Sequence, residues 1–230
     1  MSAKAMVFID GSWLYRSRQS LFARLDSPQG FEIDYTKIPK MVCEDAANYL
    51  DEDVSLVRTM YFGTIPSARS GFSTGKQSSF YEFLERNCGY DTHIHEVDVG
   101  QGEARSDEMW VKVALSSSML FYAAQPGAYD IVVLVTDDPD YTPALRMVRR
   151  MGKRVLVVGM RPPEDQRGVA TLFYKARVRD FPPTYLDDHA AEVRLVRERV
   201  VRVCKGCGRE EETTWAGPDF FCSQCRGGRR

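Results

Sequence analysis

The sequence predicts a three-layer α/β domain with a mostly parallel central sheet, followed by a small cysteine-bearing module. Three observations predict it. Short apolar runs alternate along the chain with stretches of helical periodicity, the order that lays parallel strands side by side with helices on both faces. The strongest run, residues 130–136 (DIVVLVT), is apolar almost without a break, as a strand buried on both faces must be. Finally, four of the six cysteines fall in two Cys-x-x-Cys pairs close to the end.

Taken in order, residues 5–9 (AMVFI) predict a buried strand that stops at Asp10-Gly11. Leu14, Leu21, Phe22 and Leu25 recur at helical spacing until the run SPQG at 27–30 ends the helix. A second helix spans 36–50, with Pro39 in its first turn, where a missing N–H is tolerated. A strand over 55–62 follows, with Val57, Met60, Tyr61 and Phe62 as its apolar surface, and then a polar loop over 66–76. The next elements are a helix over 78–87, a strand over 92–97 and a long helix over 107–123 carrying Trp110, Val113, Ala114, Leu115, Met119 and Leu120. Beyond the 130–136 strand come a short helix over 143–151, closed by Gly152, and a buried strand over 154–158. Pro162-Pro163 and Pro182-Pro183 bracket an irregular stretch with a helix after Val169. The expected organisation is a domain over 1–185, a charged helical connector over 186–203 and the cysteine module over 204–230.

Composition narrows the function. A chain of 230 residues, 43% hydrophobic and 27% charged, buries one medium core and excludes a disordered polymer. No apolar run approaches the roughly 20 residues of a membrane span. The N-terminus enters a strand at once, without a signal-peptide pattern, so a cytoplasmic location is expected. In a reducing compartment, paired Cys-x-x-Cys motifs hold metal rather than disulfides, and Cys43 and Cys88 read as small buried residues. From Arg194 onward there are nine Lys/Arg against five Asp/Glu, whereas the rest of the chain has 22 against 27. A basic tail on an acidic domain suits a polyanionic partner.

Acidic residues stand where parallel sheets bind ligands, at the carboxyl ends of strands. Asp10 follows the first strand, and Asp137, Asp138 and Asp140 follow the strongest one within TDDPDY at 136–141. Asp107 opens the long helix beside Glu103 and Glu108. Converging carboxylates repel one another unless a cation neutralises them. An all-oxygen set selects hard ions, Mg²⁺ or Mn²⁺, which suit phosphoryl chemistry. Asp107 and Asp140 are equally ordinary helix N-caps. It is Asp10 together with the Asp138-x-Asp140 pair that favours a metal.

Residues 7–15 (VFIDGSWLY) resemble the opening motif of the NYN domains, a branch of the PIN-like nucleases. Residues 133–145 (VLVTDDPDYTPAL), followed by 151–157 (MGKRVLV), resemble the later signature of that family, and the resemblance spans roughly residues 4–180. It implies metal-dependent RNA cleavage, with Asp10, Asp138 and Asp140 in the positions of metal-binding acids and Asp107 as the middle acid. Two departures stand out. Trp13 replaces the usual Asn, and the second middle acid, expected about two turns after the first, is absent around Val113 and Ala114, where Lys112 is the nearest charge. Asp137 occupies a place that is usually small, and is a further candidate ligand.

CKGC at 204–207, fourteen intervening residues and CSQC at 222–225 put four thiolates within reach of one Zn²⁺, a zinc ribbon. Such a module folds around its metal. Trp215, Phe220 and Phe221 beside Lys205, Arg209, Arg226, Arg229 and Arg230 either stack on RNA bases or fill a tiny core, and ribbons also dock proteins. GFSTGK at 71–76 fails as a phosphate loop, because Ser70 and Gln77 stand where Gly and Ser/Thr belong. Arg69 and Lys76 nevertheless join Arg105, Lys112, Lys205, Arg209 and Arg226 as candidate RNA contacts. His93 and His95 share one face of a strand and read as ordinary strand residues; Ser116 to Ser118 have no paired base in view.

The leading expectation is therefore a Mg²⁺- or Mn²⁺-dependent ribonuclease with one structural Zn²⁺. The alternative is an RNA-binding adaptor with a degenerate nuclease fold, supported by Trp13 and the missing acid. A haloacid dehalogenase-type phosphatase ranks below both: Asp138-Pro-Asp-Tyr-Thr142 matches Asp-x-Asp-x-Thr, but lies past mid-chain instead of near the start of its domain.

Overall fold

Six strands form one parallel sheet: β1 (Ala3–Asp10), β2 (Val54–Pro66), β3 (Asp91–Val97), β4 (Ile131–Val135), β5 (Arg154–Gly159) and β6 (Thr184–Tyr185), in the order β3-β2-β1-β4-β5-β6. The structure is a computed structural model that describes residues 2–24, 32–98, 104–161, 178–196, 199–215 and 217–227, with the backbone alone at 18–24, 104–108 and 227. Contacts divide the chain into two compact units, Met1–Arg194 and Leu195–Arg230.

Strand alternation sorts side chains into two cores, one on each face of the sheet. Ala5, Val7 and Ile9 of β1, with Ile131, Val133 and Val135 of β4, meet α1 (Gly11–Arg24), α2 (Ile38–Leu50) and α3 (Gly75–Arg86) through Trp13, Leu14, Met41, Val42 and Leu84. Met6 and Phe8, with Val132 and Leu134, meet α4 (Ala104–Ala124) and α5 (Thr142–Arg150) through Val111, Leu115, Met119, Leu145 and Val148. β4 is buried at every position, as its unbroken apolar run requires. Gly152 closes α5 at φ 80°, a left-handed turn that residues with a Cβ rarely adopt.

Three expectations change. The long helix begins at Ala104, so Asp107 lies inside it and does not open it; Ala104 and Arg105 are good helix formers and extend the first turn. The strand expected over 55–62 runs to Pro66, because β3 pairs with it as far as Pro66↔Val97, and α3 starts at Gly75, placing Lys76 in its first turn. The segment 186–203 is not a helical connector. Among its described residues only α6 (Ala190–Val193) is helical, with Ala190 and Val193 buried in the first core, while the β-branched run forms β7 (Val200–Val203). The helix expected after Val169 lies outside the described residues.

In the second unit, β7 pairs antiparallel with β8 (Glu210–Thr213), and α7 (Ser223–Gly227) follows. Its buried core is Cys204, Phe220 and Cys222, flanked by Phe221 and Cys225. Among the described residues no helix is long and apolar enough to cross a membrane.

Candidate active site

β1, β2 and β3 run outward to one side and β4, β5 and β6 to the other, so the strand order reverses between β1 and β4. At such a reversal the two adjacent crossovers diverge and leave a crevice above the carboxyl ends of the strands. Ile9 pairs with Val135, so Asp10 and the segment Thr136–Asp140 emerge side by side into that crevice.

Asp10 is 2% exposed. Its Oδ1 accepts the backbone N–H of Trp13 at 2.9 Å, capping α1, and its Oδ2 accepts the hydroxyl of Tyr141 at 2.9 Å. Burial pushes its carboxyl above the usual range despite those two bonds, and Asp138 adds repulsion. Asp137 is also raised by burial, against the hydrogen bond at 2.6 Å that Trp13 Nε1 donates to its Oδ1. Asp138 Oδ1 accepts the N–H of Asp140 at 2.9 Å, fixing the turn over Pro139–Tyr141 that leads into α5.

Lys112 reaches from α4 into this group. Its Nζ lies 2.7 Å from Asp138 Oδ2 and 2.6 Å from Asp140 Oδ2. Burial lowers the pKa of that ammonium, but the two carboxylates outweigh it and leave it raised. Lys112, expected as an RNA contact, is the counter-cation of Asp138 and Asp140. Asp107 and Arg105 lie on the backbone of α4, and their side chains are outside the described residues.

Sequence reasoning missed Tyr141, although it stands beside Asp140 in the acidic run, and Tyr61. Gly11 lets the Tyr61 ring pack against the start of α1, where a methyl group would overlap it. Tyr61 is almost fully buried, and burial raises its phenol well above its ordinary range. The remaining signals resolve simply. His93 stacks on Phe62 at 4.7 Å and His95 on Trp110 at 4.6 Å, as ordinary strand residues facing α4. Arg69 pairs with Asp98 at 3.4 Å, and Lys76 is exposed.

In the second unit, the four cysteine sulfurs lie within 4.8 Å of one another, and Cys207 Sγ is 3.6 Å from Cys222 Sγ. Tetrahedral Zn–S bonds of about 2.3 Å separate sulfurs by roughly 3.8 Å, so the four could form a zinc site. Backbone N–H groups of Cys222 and Gly206 point at Cys204 Sγ, at 3.2 and 3.4 Å, and the pKa of that thiol falls to about 6. Among the described residues, no other three or more His, Cys, Asp or Glu ligand atoms cluster so closely. Three of the candidate cations are engaged locally: Lys205 pairs with Asp219, Arg209 donates to Gln224 and Arg226 to the Phe221 carbonyl, while Arg229 and Arg230 lie outside the described residues. Phe220 fills the core, while Trp215 is 46% exposed with Arg226 over its ring.

No curated protein gives a significant match to the chain. Residues 4–181, which contain the whole crevice, match the NYN domain family. With the switch-point carboxylates and the match together, the chain belongs to the NYN domain family of PIN-like nucleases.

Proposed function

We propose that this chain is a metal-dependent ribonuclease that hydrolyses RNA phosphodiester bonds in the crevice between β1 and β4. The observation that carries it is the convergence of Asp10 with the Asp138–Asp140 turn at the strand-order reversal of a PIN-like nuclease fold. The donor set suits a hard divalent cation. All donors are carboxylate oxygens, and Asp10 is buried next to Asp138 at a cost that positive charge relieves. Asp10, Asp138 and Asp140, with Asp107, are the residues that would hold Mg²⁺ or Mn²⁺. A bound ion would supply an activated water and stabilise the leaving oxygen. The protein's own part is positioning: Trp13 N–H and Tyr141 OH fix Asp10, and the Asp140 N–H fixes Asp138. The four cysteines would bind one structural Zn²⁺, and the module around them would help hold RNA or a partner protein.

One observation favours a second reading. Lys112 already neutralises Asp138 and Asp140, and Trp13 holds Asp137, so the chain could bind RNA without cleaving it. The deciding experiment incubates zinc-loaded protein with labelled single-stranded and structured RNA, and DNA controls, in Mn²⁺ or Mg²⁺. Cleavage is expected, and is expected to vanish in Asp138→Asn/Asp140→Asn. Binding without cleavage under every condition would move the conclusion to an adaptor.

A further inference from the structure

The exposed side of α5 carries a row of cations leading away from the carboxylates. Ala144, Leu145 and Val148 face the core, while Arg146, Arg149 and Arg150 are exposed. The three arginines follow the i, i+3, i+4 pattern of a single helix face, and Lys153 lies just beyond the turn at Gly152 that closes the helix. Along with Gly152 and Asp180 they line a shallow cleft of about 460 Å³.

Four cations share this cleft with one carboxylate. Asp180 is committed to Arg149, which donates to it from Nε and Nη2 at 2.7–3.1 Å, and to the N–H of Val155. The Lys153 ammonium is fixed by the Tyr129 carbonyl and lies 5.4 Å from the centre of that ring. Arg146 and Arg150 make no ion pair or side-chain hydrogen bond among the described residues. The helix dipole favours cations in the last turn, but Arg146 precedes that turn and repels Arg150 four residues on. An uncompensated row of this kind is suited to a ligand with regularly spaced negative charge.

We infer that this row is a docking track for the phosphate backbone of single-stranded RNA, guiding one flank of the strand away from the Asp138–Asp140 turn. α5 starts two residues after Asp140. Arg146 then lies about 6 Å and Arg150 about 12 Å along its axis from Thr142, at 1.5 Å per residue. That spacing is close to the step between neighbouring phosphates, and the fork of Arg matches phosphate geometry. The one acid among the described residues of the cleft is already paired, so phosphates meet no unpaired carboxylate among those residues. The inference rests on RNA being the polymer that this chain handles, but not on cleavage.

The test uses the full, zinc-loaded chain and a fluorescein-labelled single-stranded RNA, followed by anisotropy across a salt series without Mg²⁺ or Mn²⁺. Arg146→Glu/Arg150→Glu is compared with Lys40→Glu/Arg86→Glu, an equal charge change on α2 and α3 across the sheet. Because Arg146 and Arg150 are exposed and unpaired among the described residues, the thermal transition should stay put, and Arg146→Lys/Arg150→Lys should retain most of the binding. The expected result is at least tenfold weaker binding in the α5 variant only. The log–log salt slope should become shallower by about 1.4, from roughly 0.7 for each of two lost contacts. Wild-type affinity and slope in the α5 variant, an equal loss in the control, or no RNA binding by the wild type would each overturn the inference. The first of these would leave the row to an acidic protein surface. Cleft-dependent binding without cleavage in any metal overturns ribonuclease activity alone, and cleavage with cleft-independent binding overturns the track alone.

Discussion

The indole Nε1 of Trp13 donates to Asp137 Oδ1 at 2.6 Å, while the backbone N–H of the same residue donates to Asp10 Oδ1. One residue at the start of α1 therefore ties together the acids at the ends of β1 and β4. Its ring is 7% exposed within the first core, so Trp13→Phe keeps most of the packing and removes the indole bond. A hydrogen bond to a charged group contributes about 1.5–3 kcal/mol, and chemical denaturation should show a loss of that order. With one oxygen held by Trp13, Asp137 is proposed to brace the site. Asp137→Asn, which keeps that acceptor oxygen, should stay within a few-fold of wild-type cleavage, whereas Asp138→Asn should abolish it. Equal inactivity of the two would place Asp137 among the metal ligands.

Asp10 gives a prediction with a definite sign. Its carboxyl is raised by burial, so the folded state holds the proton more tightly than the unfolded chain does. The stability this lends is present at low pH and is lost as pH rises through the raised folded value. Asp10→Asn removes the buried charge and keeps the cap on Trp13, and the Tyr141 hydroxyl can turn to accept from the new amide. At neutral pH the variant should be more stable, seen as a higher thermal transition, while losing cleavage. The gap should close as the medium is acidified and wild-type Asp10 takes up its proton. A variant less stable than wild type at pH 7 would mean that Asp10 is structural.

How far this was legible in the sequence depends on which forces were local. The strands and their order of alternation with helices could be read because burial on both faces writes an unbroken apolar run, as at Ile131–Val135. Asp10 could be read as a candidate because it ends the first apolar run, and Asp138 and Asp140 because they lie in the acidic turn soon after the strongest run. The side-chain pairings could not. Lys112 meets Asp140 across 28 positions, Trp13 meets Asp137 across 124, and Tyr141 meets Asp10 across 131. The last two follow from the β1–β4 register and the first from the packing of α4 beside the turn after β4, to which no short motif refers. The charged segment 186–203 misled for the opposite reason: its charges suit a helix, yet Val200, Val201 and Val203 gain more by pairing with β8.

Lys112 pairs with Asp138 and Asp140, and a divalent cation held by those two carboxylates would have to compete with it. Its raised pKa means that it stays charged throughout the neutral range, so pH does not relieve the competition. Lys112→Met retains the aliphatic stem and removes the charge. Calorimetric titration should then show Mn²⁺ binding several-fold more tightly than in the wild type. It should also show a larger thermal stabilisation at saturating Mn²⁺. If Mn²⁺ affinity is unchanged, the ion and the ammonium occupy different places, and Lys112 is simply a brace between α4 and the turn.

The cysteine module offers a test independent of the crevice. Its buried core is two cysteines and one phenylalanine, too little apolar surface to hold a fold without a cross-link. Four sulfurs already gathered within 4.8 Å make a metal the cross-link that fits. Purified protein should therefore contain one equivalent of zinc, released when the thiols are blocked by a mercurial. Cys207→Ser should lower that content and unfold residues 195–230, visible as rapid amide exchange at Val200–Val203 and Glu210–Thr213. The thermal transition of Met1–Arg194 should be unaffected, because that unit has its own two cores. Slow exchange in β7 and β8 after zinc removal would show that the hairpin stands without metal, and the structural role assigned to the four thiolates would then fall.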